Sequence, residues 1–247
     1  MGWDMDKFDI MEYALVNNGF DIFDVYARFV TEAGASVFTG YHDFCSVLDE
    51  ICATKFDTRD QERVFGRVKY NKDRFLQRMH ESDSYVRHFY EYVSKKLGDK
   101  DKVWDIGCGA HPLSTIYLQE KGIDITGVDP QINSRFMDYF KTKYYKKNLQ
   151  AVEAELVKDN PTMLIGFRPC SGQEPLLDMA QKYDKRVVTK SCECRIVTDS
   201  REAIFGEEAK TMYYLKKYPF LKLGSMLGTP ANPDEVRVSM DTVMETD

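Results

Sequence analysis

The sequence predicts an α/β protein, a doubly wound and mostly parallel sheet preceded by an all-helical N-terminal segment. Two observations carry this. Apolar residues recur at helical spacing from residue 5 to residue 97, whereas past Gly98 short β-rich runs alternate with helix-like stretches. The first of those runs, Lys102–Gly107, ends in the glycine turn Gly107-Cys108-Gly109, the junction at which a strand enters a crossover.

In the helical part, Phe8, Met11, Tyr13, Leu15 and Val16 mark a first helix, stopped by Asn17-Asn18-Gly19. A second fits Asp21–Ala33, with Gly34 as its C-terminal cap. A third fits Tyr41–Ala53 through the stripe Phe44, Val47, Leu48 and Ile51. Thr58-Arg59-Asp60-Gln61 has the form of a capping box opening a fourth, and Ser84 is placed to cap a last one, Tyr85–Leu97. Such aromatic stripes are expected to be core. Beyond them, Lys102–Gly107, Asp124–Asp129, Thr162–Phe167 and Arg186–Lys190 are strands, with Asn148–Glu153 a further candidate. Leu221–Met240 reads as an antiparallel edge hairpin around Gly228-Thr229-Pro230-Ala231-Asn232-Pro233. The expected division is a helical cap, residues 1–98, and a Rossmann-like domain, residues 99–247.

Composition narrows the function. The 247 residues are 43% hydrophobic and 30% charged, ordinary for a soluble protein. No stretch approaches the ~18 apolar residues of a membrane span. Asp4, Asp6 and Asp9 stand where a signal peptide carries positive charge, so a cytoplasmic protein without membrane contact is expected. A net charge of -6 argues against whole-surface attraction to nucleic acid, and no DNA partner is expected. The charge is uneven, since residues 59–78 hold seven Lys or Arg against three acids. A second basic stretch, Arg135–Asn148, interleaves lysines with Phe136, Tyr139, Phe140, Tyr144 and Tyr145. It suits either an RNA-stacking surface or a single helix with one solvated face.

The chemistry lies in Val103-Trp104-Asp105-Ile106-Gly107-Cys108-Gly109-Ala110-His111-Pro112-Leu113. Two glycines one residue apart permit a tight turn and leave no side chain between backbone and ligand. Pro112 suits the first turn of a helix, whose free N–H groups face a polar ligand. The next strand ends Gly127-Val128-Asp129-Pro130, which sets a carboxylate to accept hydrogen bonds from a ribose diol. A nicotinamide fingerprint wants a third glycine where Pro112 stands.

The pair Asp-Ile-Gly-Cys-Gly and Gly-Val-Asp-Pro resembles the first two motifs of class I S-adenosylmethionine-dependent methyltransferases. That resemblance implies S-adenosylmethionine as cofactor. Asp105 would support the glycine loop and the amino group of the methionine moiety. Gly107, Cys108 and Gly109 would line the methionine and ribose, and Asp129 and Pro130 the ribose hydroxyls. It also implies an acid near the end of the third strand for the adenine, with Glu153 and Glu155 as candidates. After the fourth strand, Gly166-Phe167-Arg168-Pro169-Cys170 is similar to a branch that carries His-Pro there and paired cysteines after the fifth strand. Arg168 stands in place of that His and joins the expected cofactor site. The branch includes some RNA 2'-O-methylating enzymes.

The function expected is methyl transfer to a small molecule, with RNA as the other acceptor. Gly107–Ile116 is also similar to the glycine loop of nicotianamine synthases, which implies aminocarboxypropyl transfer instead. A third reading is a non-catalytic cofactor-binding partner subunit. No residue identifies a catalytic base. His111 beside the glycine turn equally suits a base, a helix cap or a solvated side chain. Residues 1–97 are expected to lie as a lid over the reactive end, with Arg63, Arg67, Lys69 and Tyr70 as anion contacts. Cys170, Cys192 and Cys194 follow neighbouring strands. No metal is expected of them, because Cys-x-Cys is tighter than the usual zinc spacing and a fourth ligand is missing.

Overall fold

The structure is a computed structural model, and it describes residues 5–17, 19–55, 58–194, 196–197, 203–204, 206–226 and 242–246, without the side chains of 84, 85, 196 and 197. It divides into two compact units, Met1–Arg87 with Asn133–Thr142, and His88–Ile132 with Lys143–Asp247.

The first unit is helical. Helix α1 (Lys7–Val16) opens on a capping box formed by Asp6 and Asp9. Helix α2 (Ile22–Ala33) starts where the Asp21 side chain accepts from the Phe23 N–H, and stops at Gly34 with φ +64°. Helix α3 (Tyr41–Ala53) matches its expected span, and α4 (Arg59–Glu81) opens on the Thr58–Gln61 capping box. The aromatic stripes are core: Tyr26, Phe44 and Phe75 meet with centroids 5.0–5.3 Å apart. Arg67 donates to the carbonyls of Ala14 and Asn17, so it closes the C-terminal end of α1.

After α4 the helical backbone does not stop to be recapped. One π turn at Ser82–Val86 leads into α5 (Arg87–Ser94), whereas a separate helix capped by Ser84 was expected; that side chain lies outside the described ones. From His88 onward the chain belongs to the second unit, where Phe89, Tyr90 and Val93 of α5 are buried and Phe89 packs on Phe167 at 5.3 Å.

In the second unit β1 (Lys102–Ile106) leads through α6 (Leu113–Glu120) to β2 (Asp124–Val128). The chain then lends α7 (Ser134–Tyr139) to the first unit. There the Asn133 amide donates to Asp21 and Asp24 at 3.0 and 2.7 Å, and Arg135 to the Tyr13 hydroxyl at 2.9 Å. Strand β3 (Lys143–Tyr145) follows, then α8 (Glu153–Asp159), β4 (Met163–Phe167), α9 (Gln173–Lys182) and β5 (Arg186–Lys190). A two-residue pair, β6 (Ile196–Val197) and β7 (Ala203–Ile204), precedes α10 (Glu207–Lys217), β8 (Lys222–Ser225) and β9 (Thr242–Glu245).

The main sheet has the order β3-β2-β1-β4-β5-β9-β8, with β1 to β5 parallel and β9 antiparallel to both its neighbours. The chain moves one way from β1 to β3 and the other way from β4 to β5. Right-handed crossovers therefore put α6 and α9 on opposite faces. The central strands are buried along nearly their whole length, as a sheet covered on both sides requires. This is the class I methyltransferase-like α/β fold. Among the described residues no helix is long and apolar enough to cross a membrane.

Three expectations are corrected. Asn148–Glu153 is not a strand but a 3-10 turn, Leu149–Val152, running into α8. Its buried residues, Leu149 and Val152, are three apart, the period of that turn. Arg135–Asn148 is not one helix; it is divided into α7 and β3, with Lys141 at φ +53° in the turn between. The second strand of the edge hairpin is Thr242–Glu245, beyond Met240, and the turn at 228–233 lies outside the described residues.

The hydrogen bonds to Asp24 generate a test of the first unit's construction. Asp24 is buried, while Arg135, at 3.4 Å from it, is well exposed. Asp24→Ala should destabilise the unit by about 1–3 kcal/mol, the loss of a hydrogen bond to a buried charged group. Arg135→Ala should cost under about 1 kcal/mol. Denaturant unfolding of both variants checks the order, and equal losses would contradict it.

Candidate active site

In a doubly wound sheet, ligands bind beyond the carboxyl ends of the strands, at the point where strand order reverses. Here that point lies between β1 and β4. A crevice of about 300 Å³ opens beside it, lined by Gly107, Asp129, Pro130, Asn148, Arg168 and Cys170 among others. Its wall is thus built from the ends of β1 and β2 and from the loops that follow β3 and β4.

The glycine turn shapes one side. Gly107 and Gly109 have φ of +71° and +84°, a region other residues enter only under strain. At Gly107 space is restricted as well, since a Cβ there would stand 2.7 Å from Cβ and 2.9 Å from Cα of Pro169. The β1 and β4 loops therefore close on each other only with glycine at 107.

Asp129 fixes the turn from the neighbouring strand. Its Oδ2 accepts from the Gly109 N–H at 3.1 Å, and its Oδ1 from the Gln131 N–H at 2.7 Å. Each oxygen keeps acceptor capacity for a further donor. Beneath lies Asp105, on the central strand with no solvent exposure. The Tyr90 hydroxyl donates to its two oxygens at 2.9 Å, and Thr115 Oγ1 to Oδ2 at 2.6 Å. Burial raises the Asp105 carboxyl to about 7; the Thr115 and Tyr90 hydrogen bonds oppose this and the Asp129 charge adds to it. Burial also pushes the Cys108 thiol well up, with both carboxylates adding to the effect.

Of the seven residues expected at the cofactor, Gly107, Asp129, Pro130 and Arg168 line the crevice. Gly109 is bonded to the crevice's Asp129, and Asp105 and Cys108 belong to the turn and its support. Arg168 directs its guanidinium to Glu207 at 3.0 Å and Glu193 at 3.7 Å. Glu153 and Glu155 are on α8 rather than at a strand end, and Glu153 accepts from Lys182 and Tyr183. Tyr90, hidden in an aromatic stripe, and Thr115, in the first turn of α6, carry no sequence signal of their role beside Asp105. Lys147–Gln150, expected in the basic stretch and in the candidate strand Asn148–Glu153, instead line the crevice from the loop and 3-10 turn after β3.

On the β4 side the loop is strained: Arg168 and Cys170 have φ of +52° and +45°. Each such residue costs on the order of 1–3 kcal/mol, and such strain collects at functional sites. The sulfurs of Cys170, Cys192 and Cys194 lie within 4.8 Å of one another, Cys170 and Cys194 at 3.4 Å. The buried Lys210 ammonium donates to Cys192 Sγ at 2.8 Å. Burial raises the Cys192 thiol, but hydrogen bonds from Lys210 and Cys194 outweigh it and bring it below the usual value. Burial and the neighbouring thiols push Cys170 up to about 12.

No family model matches the chain, and no curated protein matches it. Among solved structures, a TehB-like SAM-dependent methyltransferase from Corynebacterium glutamicum is 16% identical over 70% of this chain and 95% of its own, with a TM-score of 0.43. The glycopeptide N-methyltransferase MtfA, complexed with S-adenosyl-L-homocysteine, is 7% identical over 64% and 87%, at 0.39. The delta subunit of translation initiation factor eIF-2B from A. fulgidus is 13% identical over 73% and 61%, at 0.35. Such distant likenesses say nothing of this chain's chemistry.

Asp105 gives a pH signature. Its folded value of about 7 lies above the ordinary aspartate value of 3.8, so the folded state holds the proton more tightly than the unfolded chain. Its contribution to stability is therefore fully present below about pH 4, declines as pH rises toward about 7, and is level above. In Asp105→Asn this decline should vanish. Subtracting the variant's stability from the wild type's should leave a curve falling on the order of 4 kcal/mol across that window. A flat difference would show that Asp105 does not titrate there.

Proposed function

We propose that the crevice takes S-adenosylmethionine and that the chain transfers its methyl group to an acceptor, a small molecule ahead of RNA. The observation that carries this reading is Asp129, anchored by two backbone N–H groups at the end of β2 and facing the crevice with acceptor capacity to spare. A ribose diol offers two donors to such a carboxylate, and a glycine turn admits the amino-acid arm without a side chain in the way. The fit extends to volume, since about 300 Å³ is at the small end of ligand sites and suits a nucleoside with a short arm.

The assignment by residue follows the resemblance. Asp129 and Pro130 hold the ribose, and Gly107, Cys108 and Gly109 form the turn along the methionine. Asp105 braces that turn and lends negative charge toward the amino group, while Arg168 shapes the loop after β4. When bound, the cofactor supplies a methyl group already activated on a sulfonium. The chain's own task is then to align and to exclude water, which contributes ~7–11 kcal/mol in well-oriented reactions. Aminocarboxypropyl transfer and a non-catalytic binding role are the other readings of the same crevice.

Calorimetry with S-adenosylmethionine and S-adenosylhomocysteine tests the assignment. Asp129→Ala should lose about 1.5–3 kcal/mol for each charge-assisted bond removed. Wild-type affinity in a folded Asp129→Ala chain would defeat it. Product analysis then separates the readings: S-adenosylhomocysteine signals methyl transfer, methylthioadenosine signals aminocarboxypropyl transfer, and turnover to neither leaves a binding module.

A further inference from the structure

Cys170 follows β4, and Cys192 and Cys194 follow β5, the adjacent parallel strand. Register alone would bring those loops near each other. The close approach needs more, namely a left-handed backbone at Cys170 itself, φ +45°, reached without glycine. The resulting sulfurs all lie within 4.8 Å of one another. Thiolates bind zinc at about 2.3 Å, so sulfurs sharing one tetrahedral ion stand about 3.8 Å apart. One pair here stands at 3.4 Å and none is farther apart than 4.8 Å, so small side-chain shifts suffice to reach that spacing.

Charge supports the same conclusion. Lys210 is fully buried, and its ammonium donates at 2.8 Å to Cys192 Sγ. A buried cation beside sulfur offsets part of the negative charge that three thiolates bring to a divalent ion. It also fixes one ligand from outside, as partners of ligands do in metal sites. Soft sulfur donors select zinc over magnesium or calcium. We propose that Cys170, Cys192 and Cys194 bind one zinc ion through their sulfurs, with Lys210 donating to Cys192.

Among the described residues these three are the ligands grouped there, which leaves the fourth position to an exogenous ligand, the arrangement of catalytic rather than structural zinc sites. Because Cys170 also lines the crevice, the ion stands at its edge. A thiol that coordinates zinc is deprotonated outright, so the open position suits a small thiol as well as water. The metal site does not depend on what the crevice binds.

The test uses the full chain, stripped by a chelator, kept reduced with a phosphine and loaded with cobalt(II) as the visible stand-in for zinc. The expected result is one cobalt per chain with the intense visible bands of a tetrahedral site and sulfur-to-metal charge transfer, both bleached by zinc. Cys170→Ser, Cys192→Ser and Cys194→Ser should each remove these bands or weaken them and move the visible ones to shorter wavelength, while Cys45→Ser and Cys52→Ser leave them. Lys210→Met keeps all three ligands and should weaken binding about 10–100-fold. Adding 2-mercaptoethanol should shift the spectrum through the open position, and a spectrum indifferent to it overturns that part. A folded, fully reduced chain that gives no charge-transfer band overturns the site. So does a band that survives in the Cys170→Ser/Cys194→Ser chain.

Discussion

A carboxylate on the central strand of a covered sheet has no water to turn to, and Asp105 meets that constraint by enlisting its neighbours. The Tyr90 hydroxyl comes from α5 and the Thr115 hydroxyl from α6, so one buried charge ties a preceding helix and a following helix to β1. A buried acid without donors would cost several kcal/mol. With them it becomes the brace of the turn that Gly107 and Gly109 make. The same economy appears at the sheet edge. Buried Glu245 on β9 accepts from Tyr92 at 2.8 Å and pairs with Lys96 at 2.8 Å. It leaves Gly224 on β8 no room for a Cβ, whose nearest atom would be Glu245 Oε1 at 2.6 Å. Segment 88–96 is thereby tied to the sheet through Tyr90, Tyr92 and Lys96.

The crevice follows from topology before any side chain is considered. Reversal of strand order beside β1 leaves a gap beyond the strand ends that no crossover fills. Asp129 then turns the gap into a polar site, because its carboxylate is aligned by the N–H groups of Gly109 and Gln131 before any ligand arrives. Preorganised acceptors bind with less ordering to do on association. Had the carboxylate been freely rotating, the same residues in the same order would make a weaker and less selective site.

What the sequence disclosed tracks how local each signal is. The capping box at Thr58, the stop at Gly34 and the four parallel strands β1, β2, β4 and β5 are set by neighbours within a few residues, and they were legible; the caps at Asp6 and Asp21, equally local, are seen only in the structure. So was the pairing of Asp129 with the glycine turn, since its spacing follows from one β-α-β unit. Strand β3 was not, because Lys143-Tyr144-Tyr145 is three residues long, charged at its flanks and at the sheet edge. Its displacement moved the next turn and, with it, the acids Glu153 and Glu155. Tyr90 and Lys210 were hidden for another reason: each sits in an ordinary amphipathic helix, and only the tertiary fold gives the hydroxyl or the ammonium its partner.

The loop after β4 joins these strands of reasoning. Its backbone holds two left-handed residues in three, at Arg168 and Cys170. Strain of that kind must be held by surrounding contacts, and here it is. Pro169 presses on Gly107, the Arg168 N–H bonds to the Lys190 carbonyl at 2.9 Å, and the Arg168 guanidinium pairs with Glu207. Glu207 in turn meets the buried Lys190 at the end of β5. The contacts that distort the loop are the ones that join β4 to β5 and bring Cys170 within reach of Cys192 and Cys194. One strained segment therefore shapes the crevice wall on one side and gathers the thiols on the other, and relaxing it would cost both.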